Sequence, residues 1–313
     1  MQNNLAPICL FTYNRLEETK LTIEALKNNF LAPKSLLYIF SDGPKNDNVL
    51  DEVLVVRNYI KNVKGFKEVK IFESKVNKGL ATSIIDGVSR TLNKHPNVIV
   101  LEDDLITSPN FLDFMNKGLQ FFEMDQNILS INGFSLDVGN YSNGFDSYSH
   151  IRTYSWGWAT WSSTWDSNIF DKNRIKNVIN PALLRDFNFI CGANMTQMLE
   201  KSLANSNDSW YASWAFHHFI ENKHSIYPYL SKIKNIGYGK NATHCATINV
   251  LKSNFDHTES RHFNFSKELS DSSQLSKNFL KYFSFSYKLL FRIKLIFKKG
   301  GINLLLLDFK NKL

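Results

Sequence analysis

The sequence predicts an α/β protein whose central sheet is mainly parallel and carries helices on both faces. In the first hundred residues, short apolar runs alternate with segments that space their apolar residues like helices, a pattern typical of βαβ units. Polar and acidic residues also follow the apolar runs directly. Because open α/β sheets bind ligands at the carboxyl ends of their strands, this second observation predicts a binding site along one edge of the sheet.

The alternation assigns the elements in chain order. Strands are predicted at 8–13, 36–40, 69–72 and 98–101, and helices at 16–30, 49–60 and 80–92. In the first helix, Leu16, Ile23 and Leu26 recur at helical spacing, and Ser41-Asp42-Gly43-Pro44 is a turn signal after the second strand. Beyond them, we expect a strand at 129–134 and, in the aromatic-rich second half, short helices at 181–187, 194–204 and 210–221.

The length fits one large domain or two small ones, and the cysteines fit a reducing compartment. Of the 313 residues, 43% are hydrophobic, which is ample for a sizeable core. The three cysteines, Cys9, Cys191 and Cys245, are far apart, which argues against a disulfide scaffold or a zinc site. Since no basic region followed by a long apolar stretch opens the chain, no secretory signal is expected and the predicted location is cytoplasmic.

The positive net charge belongs to the C-terminal segment. Residues 275–313 hold nine of the 37 Lys and Arg residues and one of the 29 Asp and Glu residues, so residues 1–274 carry 28 of each sign. The body of the protein is therefore neutral and offers no basic face for nucleic acid.

Three consecutive carboxylates, Glu102, Asp103 and Asp104, follow the predicted strand at 98–101. They would repel one another without a positive group, and a hard divalent cation such as Mg²⁺ or Mn²⁺ suits carboxylate oxygens. This pattern predicts a metal site that also holds an anionic ligand such as a diphosphate. The alternative is an acidic helix N-terminus, since Thr107-Ser108-Pro109 could open a helix at Asn110.

Polar residues follow the other strands as well. Arg15 comes after the first strand, where an arginine can pair with a phosphate or simply be solvated. Asp42 follows the second strand and could accept from a base or a ribose, although turn chemistry is the better explanation of it in isolation. The segment 77–80, Asn-Lys-Gly-Leu, follows the third strand, and its glycine allows close approach of a ligand or caps a helix.

Together these residues resemble the nucleotide-sugar half of a GT-A glycosyltransferase, in particular bacterial relatives of the N-acetylglucosaminyltransferase I family. That family has an arginine after its opening strand, an Asp after strand two and Glu-Asp-Asp at the metal. The resemblance covers roughly residues 6–245. It extends to Ser155-Trp156-Gly157-Trp158-Ala159-Thr160-Trp161, Asn207-Asp208-Ser209-Trp210 and Asn235-Ile236-Gly237 with His244.

The resemblance implies a GT-A fold, which is Rossmann-like and binds a nucleotide sugar, over residues 1–250. Residues 1–135 would form the nucleotide-sugar-binding half and residues 136–250 the acceptor and catalytic half. A basic amphipathic tail at 275–313 would follow this domain.

The donor side of the site is assigned by the same resemblance. It implies that Asp104 ligates the metal directly and that Glu102 and Asp103 contact the donor sugar and the ribose. It also implies that Asp42 reads a uracil ring and that Arg15 approaches the diphosphate and the sugar.

Further residues are carried over in the same way. Asn77 takes a base-contacting position, although the family has another residue type there, and Lys78 beside it is assigned to donor binding. Asp208 matches the general base, with helix N-capping as its alternative role. His244 matches a histidine that many GT-A enzymes place near the metal or the diphosphate. Trp210, two residues after Asp208, is assigned to the acceptor.

The tryptophans of the segment 155–161 are large enough to stack on acceptor sugars. Trp156 is expected to face the acceptor. Trp158 and Trp161 lie three apart and are expected to share a buried face. The alternative for all three is a role as core or loop anchors.

The predicted function is a metal-dependent inverting glycosyltransferase. It would use Mn²⁺ or Mg²⁺ and a nucleotide-sugar donor, with a UDP-sugar such as UDP-GlcNAc as the candidate. The acceptor would be a glycan or a lipid-linked oligosaccharide in the synthesis of surface polysaccharide. The alternatives are a nucleotidyltransferase of similar fold and a non-catalytic sugar-binding protein, since fold likeness alone does not settle activity.

The C-terminal segment is expected to lie on an anionic membrane. Positions 277, 281, 284, 288 and 292 are Lys, Lys, Ser, Lys and Arg and would share one stripe of a helix. Aromatic and aliphatic residues between them predict an amphipathic helix at the inner face of the cell membrane, which makes the protein peripheral. The alternative is packing on the catalytic domain or on a second subunit.

Overall fold

The computed structural model of the chain describes residues 5–139, 142–206, 209–238, 248–270, 273–298 and 300–310, with the side chains of 309 and 310 excepted. The strands are β1 Ile8–Thr12, β2 Leu36–Ser41, β3 Glu68–Glu73, β4 Asn97–Glu102, β5 Leu105–Thr107, β6 Ile128–Asn132, β7 Ser147–His150, β8 Trp158–Trp161, β9 His224–Pro228 and β10 Ile233–Asn235.

The α-helices begin and end as follows. They are α1 Leu16–Lys27, α2 Leu50–Ile60, α3 Leu80–Leu92, α4 Phe111–Phe121, α5 Lys172–Val178, α6 Pro181–Cys191, α7 Met195–Leu203, α8 Trp210–Ile220, α9 Ser273–Leu280, α10 Phe285–Ile296 and α11 Gly301–Lys310.

A central eight-stranded sheet organises the protein. Its strand order is β3-β2-β1-β4-β8-β6-β9-β7. The half built from β1 to β4 is parallel, as the βαβ alternation predicts, whereas β8 pairs antiparallel with both β4 and β6. A separate two-stranded ribbon joins β5 to β10. The predicted α/β architecture is confirmed, and the predicted elements agree with the observed ones to within a few residues at their ends.

The core consists of two layers, one on each face of the sheet. Alternate residues of β1 point to opposite faces, so that Ile8 and Leu10 belong to one layer and Cys9 and Phe11 to the other. One layer includes α1, α2, α4 and α9, and the other includes α3, α6, α7 and α8. Both layers are needed because the parallel strands are apolar on both faces.

The expectation that Trp158 and Trp161 share a buried face is wrong. Both are buried, but Trp158 packs in the layer of α3 and α8, and Trp161 packs in the opposite layer. The segment is a strand and not a helix, so residues three apart point to opposite faces. Trp158 stacks on Trp210, with ring centroids 5.0 Å apart, while Trp161 donates from its indole nitrogen to the carbonyl of Leu119.

The first part of the C-terminal segment belongs to the core. Leu275, Phe279, Tyr282 and Phe283 are buried in the layer of α1 and α4, and the hydroxyl of Tyr282 donates to the carbonyl of Asp137 at 2.7 Å. The tail predicted at 275–313 therefore includes a stretch that packs on the domain, which was the alternative interpretation.

The predicted stripe of basic residues is not one helix face. The chain leaves the helical conformation at Ser284, whose φ of −69° and ψ of 148° are extended and whose hydroxyl caps α10 by accepting from the backbone nitrogen of Tyr287. Lys277 and Lys281 consequently lie before this break, and Lys288 and Arg292 lie after it on a separate helix.

Beyond the break, α10 and α11 form a helical hairpin with a large apolar exterior. Arg292 and Asp308 pair across the hairpin at 3.3 Å. Its strongly exposed apolar side chains are Phe285, Leu289, Leu290, Ile293, Ile296, Phe297, Ile302, Leu304 and Leu306. None of the described helices has the length and apolar character that a membrane crossing requires.

Candidate active site

Parallel pairing brings the predicted site residues to one edge of the sheet. Thr12 lies beside Ser41, and Phe11 lies beside Glu102, so β1, β2 and β4 end at nearly the same level. Because a parallel register aligns carboxyl ends, the residues that follow these strands become neighbours although they are up to ninety positions apart.

Arg15 is the positive group that meets the acidic triplet. Its Nη2 donates to Oδ1 of Asp103 at 2.5 Å and to Oδ2 of Asp104 at 3.1 Å. Asp103 also accepts from the backbone nitrogen of Tyr13, and its carbonyl accepts from the hydroxyl of Thr22 at 2.7 Å. Arg15, predicted to approach a diphosphate, thus holds two carboxylates in place at the start of α1.

One guanidinium does not balance three carboxylates, of which Asp103 and Asp104 are buried and Glu102 is half-buried. Burial, together with the charges of Asp104 and Asp103, raises the pKa of Glu102 to about 8. Burial also raises the pKa of Asp103 to about 6 against the opposing effect of Arg15, and it raises the pKa of Asp104. The end of β4 is therefore short of positive charge.

Gly237 lets the second half of the chain approach Asp104. The ribbon of β5 and β10 pairs Leu105 with Asn235, and the backbone nitrogen of Ile236 donates to the carbonyl of Asp104 at 2.9 Å. A Cβ at position 237 would lie 2.0 Å from Oδ2 of Asp104. Only glycine fits there, because any larger residue would displace the carboxylate.

A cavity of about 470 Å³ opens beside the acidic residues. Arg15, Glu102 and Asp104 form one part of its wall, whereas Asp103 is not among the lining residues. The second half of the chain and the C-terminal segment form most of the remaining wall, which includes Arg152, Tyr154, Trp156, Asn194, Ser209, Trp210, Tyr211, Gly237, Tyr238, Ile248, Leu251, Tyr282, Phe283 and Lys288.

Asp42, Asn77 and Lys78 form a separate cluster that does not line this cavity. The Asp42 carboxylate accepts from the backbone nitrogens of Gly43, Lys78 and Gly79 at 2.8 to 3.0 Å and from the side-chain amide of Asn77 at 3.2 Å. The Lys78 ammonium pairs with Asp86 on the surface at 2.8 Å. The Asp42 carboxylate thus stabilises the turns at Gly43 and Gly79, which was the alternative role considered for it.

The predicted acceptor tryptophans differ in exposure. Trp156 is half-buried, packs edge-on against Phe134 with centroids 4.5 Å apart, and borders the cavity. Trp210 also borders the cavity but is only 3% exposed, because it stacks on Trp158. Its main contacts are therefore those of a core residue.

Two predicted residues lie outside the described ranges. Asp208, the predicted base, comes directly before the cavity-lining Ser209 and Trp210 in the sequence. His244, the predicted second metal ligand, comes in the sequence between Tyr238 and Ile248, which also line the cavity.

The sequence interpretation missed the buried arginine of the cavity wall. Arg152, Tyr154, Asn194 and Tyr211 come from three separate stretches of the chain. The position of Arg152 close before the Ser-Trp-Gly-Trp segment was the one signal available, because nothing in the sequence shows which distant residues surround it.

The acidic edge fits a divalent cation that shares its ligands with a bound anion. Within the described part of the chain, no three His, Cys, Asp or Glu side chains converge as a complete metal site. Mg²⁺-type sites commonly use one or two carboxylates plus phosphate oxygens. Glu102 and Asp104 border the cavity and offer carboxylate oxygens to a cation, with Arg15 as the positive side chain beside them.

Gly237→Ala should lower the free energy of unfolding by about 1–3 kcal/mol, because the new methyl group overpacks against Asp104. Urea unfolding measures the change, and Lys234→Ala on the exposed side of β10 is the control. In an Asp104→Ala background the clashing oxygen is gone, so the cost should shrink. An equal cost in both backgrounds would show that Gly237 does not accommodate this carboxylate.

Comparison with solved structures finds distant similarities. The mannosyltransferase PcManGT from Pyrobaculum calidifontis, in complex with GDP-Man and Mn²⁺, is 9% identical with a TM-score of 0.33 over 50% of this chain and 45% of that chain. TarS from S. aureus is 12% identical with a TM-score of 0.38 over 72% of this chain and 37% of that chain. The chain thus spans less than half the length of either protein.

A search among curated protein sequences returns no match. The resemblance to N-acetylglucosaminyltransferase I stays a prediction, since neither the family model nor the two structures bears on it. The family model that matches is described as Glycosyl transferase family 2 and covers residues 8–198. Because this match includes more than half of the chain, the protein belongs to Glycosyl transferase family 2 and has the expected GT-A-like fold.

Proposed function

We propose that the protein transfers a sugar from a nucleotide-sugar donor to a hydroxyl group of a glycan or a lipid-linked acceptor. The observation that carries the proposal is the acidic edge of β4, where Glu102 and Asp104 border the cavity beside Arg15. Membership of Glycosyl transferase family 2 supports the reaction class. The sheet provides a rigid base for the site, and the aromatic second half provides the opposite wall.

On the donor side, Asp104 and Glu102 would hold Mn²⁺ or Mg²⁺ together with oxygens of the donor diphosphate. A cation held by these residues would supply positive charge for the departing diphosphate. Arg15 keeps Asp104 oriented toward the cavity through its hydrogen bond at 3.1 Å. The neighbouring Asp103 stays paired with Arg15 and holds the start of α1 against the end of β4.

For the nucleotide, a UDP-sugar such as UDP-GlcNAc remains the candidate. Asp42 and Asn77 already bind each other and the turn around Gly43. The nucleobase of a donor would consequently meet a preformed surface made by this turn. A hydrogen bond from the nucleobase to the Asp42 carboxylate would have to replace one of the existing hydrogen bonds.

On the acceptor side, an acceptor hydroxyl needs a base to become a good nucleophile. Asp208 is the proposed base, because it directly precedes Ser209 and Trp210 in the cavity wall. An attack assisted by one carboxylate, on the face opposite the leaving diphosphate, inverts the configuration of the sugar carbon. Trp156, half-buried at the cavity, is the ring best placed to stack on an acceptor sugar.

We also propose that the hairpin of α10 and α11 binds the anionic inner surface of the cell membrane. Phe285 is 80% exposed and Phe297 is 84% exposed, and Lys294 and Lys298 are exposed beside them. Apolar side chains next to lysines suit the boundary between headgroups and acyl chains. A lipid-linked acceptor in surface polysaccharide synthesis would be available at the same surface.

Asp104→Asn should abolish metal-dependent hydrolysis of nucleotide sugars and weaken joint binding of UDP and Mn²⁺, because the amide keeps the shape and loses the charge. A screen of nucleotide sugars against the wild type, followed by calorimetry with the nucleotide of the best donor, measures both. Asp51→Asn, on the exposed face of α2, is the matched control. Unchanged binding in Asp104→Asn would remove the metal assignment.

Asp208→Asn should leave donor binding nearly unchanged and lower turnover by about 10²–10⁴-fold, the usual contribution of a positioned base. Steady-state transfer and donor affinity are measured together, with Asp186→Asn on the exposed side of α6 as the control. A loss of donor affinity equal to the loss of rate would contradict the role as a base.

Truncation after Ser284 should release the protein from anionic vesicles and leave it folded, because Leu275, Phe279 and Phe283 remain in place. Truncation after residue 274 removes these core residues and should lower the melting temperature strongly. Vesicle sedimentation at rising salt should show weaker binding, since each near-surface Lys or Arg contributes about 1 kcal/mol that salt screens. Full-length protein that ignores anionic vesicles at low salt would refute the membrane assignment.

A further inference from the structure

The cavity contains a buried cation for which the proposed donor chemistry has no use. Arg152 follows β7, is only 3% exposed, and lines the cavity. Its guanidinium stacks on the ring of Phe283, with the carbon 3.5 Å from the ring centroid. A buried charge of this kind is costly unless an anion or several hydrogen bonds compensate it.

The partners of Arg152 are neutral. Its Nε donates to the hydroxyl of Tyr211 at 3.2 Å, and its Nη1 donates to the carbonyl of Cys191 at 2.7 Å and to the side-chain oxygen of Asn194 at 3.0 Å. Among the residues that the structure describes, no Asp or Glu forms an ion pair with it, and Nη2 donates no hydrogen bond. The positive charge is therefore held in place but not neutralised.

The surroundings are built to hold this guanidinium. Gly192 has a φ of +109°, and a Cβ there would lie 2.7 Å from Nη1 of Arg152 and 3.0 Å from the Phe283 ring. Glycine is thus required both for the backbone conformation and for space. Tyr211 is fixed in turn, because its hydroxyl donates to the carbonyl of Thr153 at 2.8 Å. The position of Arg152 is determined on every side except the one that borders the cavity.

The two parts of the cavity wall would bind groups of opposite charge. The acidic edge would bind a cation, and Arg152 would bind an anion. The acidic edge lacks positive charge, and the diphosphate of a donor would belong there with its metal. Arg152 contacts Tyr211, so it lies on the part of the wall formed by Ser209, Trp210 and Tyr211, the residues that follow the proposed base in the sequence. The group that meets this wall is the acceptor.

We propose that Arg152 binds an anionic group of the acceptor, either a sugar carboxylate or a phosphate, and so selects acidic acceptors. The inference rests on the proposed function, because it takes the cavity as the acceptor site. Nη2, the nitrogen of Arg152 that donates to none of the described residues, suits either anion through a charge-assisted hydrogen bond. Trp156 would pack against the sugar ring while the anion reaches Nη2.

The test compares three small glycosides on wild-type protein with saturating UDP and Mn²⁺ present. Methyl glucuronide carries a carboxylate, glucose 6-phosphate carries a phosphate, and methyl glucoside is neutral. Tryptophan fluorescence and calorimetry measure each affinity. One anionic ligand should bind on the order of ten- to a hundredfold more tightly than the glucoside, as expected for a charge-assisted hydrogen bond, and the tighter of the two identifies the source of the anion.

The variants link this selectivity to Arg152. Arg152→Gln should reduce the preference for the anion to near unity, Arg152→Lys should retain part of it, and the exposed Arg185→Gln should leave it unchanged. Melting temperatures show whether each variant is folded. If Arg152→Gln does not fold, Arg152→Lys and the wild-type comparison decide the matter, because a lysine at this position keeps the charge and loses the planar guanidinium that directs Nη2.

Three results would overturn the proposal. They are equal affinity for the neutral and anionic glycosides, no saturable binding of either anion at concentrations that keep the protein folded, and competition of the anion with UDP and Mn²⁺. The last result would place Arg152 in the donor diphosphate site. Failure of every nucleoside diphosphate tested with Mn²⁺ to bind would instead refute the proposed function, and this binding is measured separately before the glycosides are added.

Discussion

The imbalance of charge at the end of β4 is the constraint on which the site depends. Three carboxylates follow a buried strand, and one guanidinium, that of Arg15, holds two of them. Folding can tolerate this arrangement because a cost of a few kcal/mol at a site is offset by the core elsewhere. The proposed metal-dependent site would use this imbalance, because a bound cation would supply the positive charge that the side chains at this edge lack.

The two halves of the chain meet at the same place. The ribbon of β5 and β10 brings the backbone of Ile236 to the carbonyl of Asp104 and leaves room for the carboxylate only because residue 237 is glycine. A site that forms where the halves join cannot exist in either half alone. Its electrostatics and its packing are consequently coupled, and a methyl group on one side alters an acidic group on the other.

Sequence patterns predicted the parallel half well and the rest less well, for physical reasons. Interior parallel strands are apolar on both faces, so Val98–Leu101 is recognisable as a strand from composition alone. By contrast, β8 places Trp158 and Trp161 on opposite faces, whereas their three-residue spacing led us to expect one shared face. The contacts of Arg152 join Gly192, Tyr211 and Phe283. Residues so far apart in the sequence form no local pattern from which their contacts could be predicted.

The position of Phe283 has a geometric consequence for how the protein would work at a surface. Its ring covers Arg152 in the cavity wall, and Phe285, two residues later, is 80% exposed at the start of α10. Two residues span at most ~7 Å of backbone. A surface that binds α10 would thus lie at a nearly fixed distance from the cavity, because no flexible segment separates Phe283 from Phe285. The fixed distance would therefore determine how long an acceptor must be to reach the cavity from that surface.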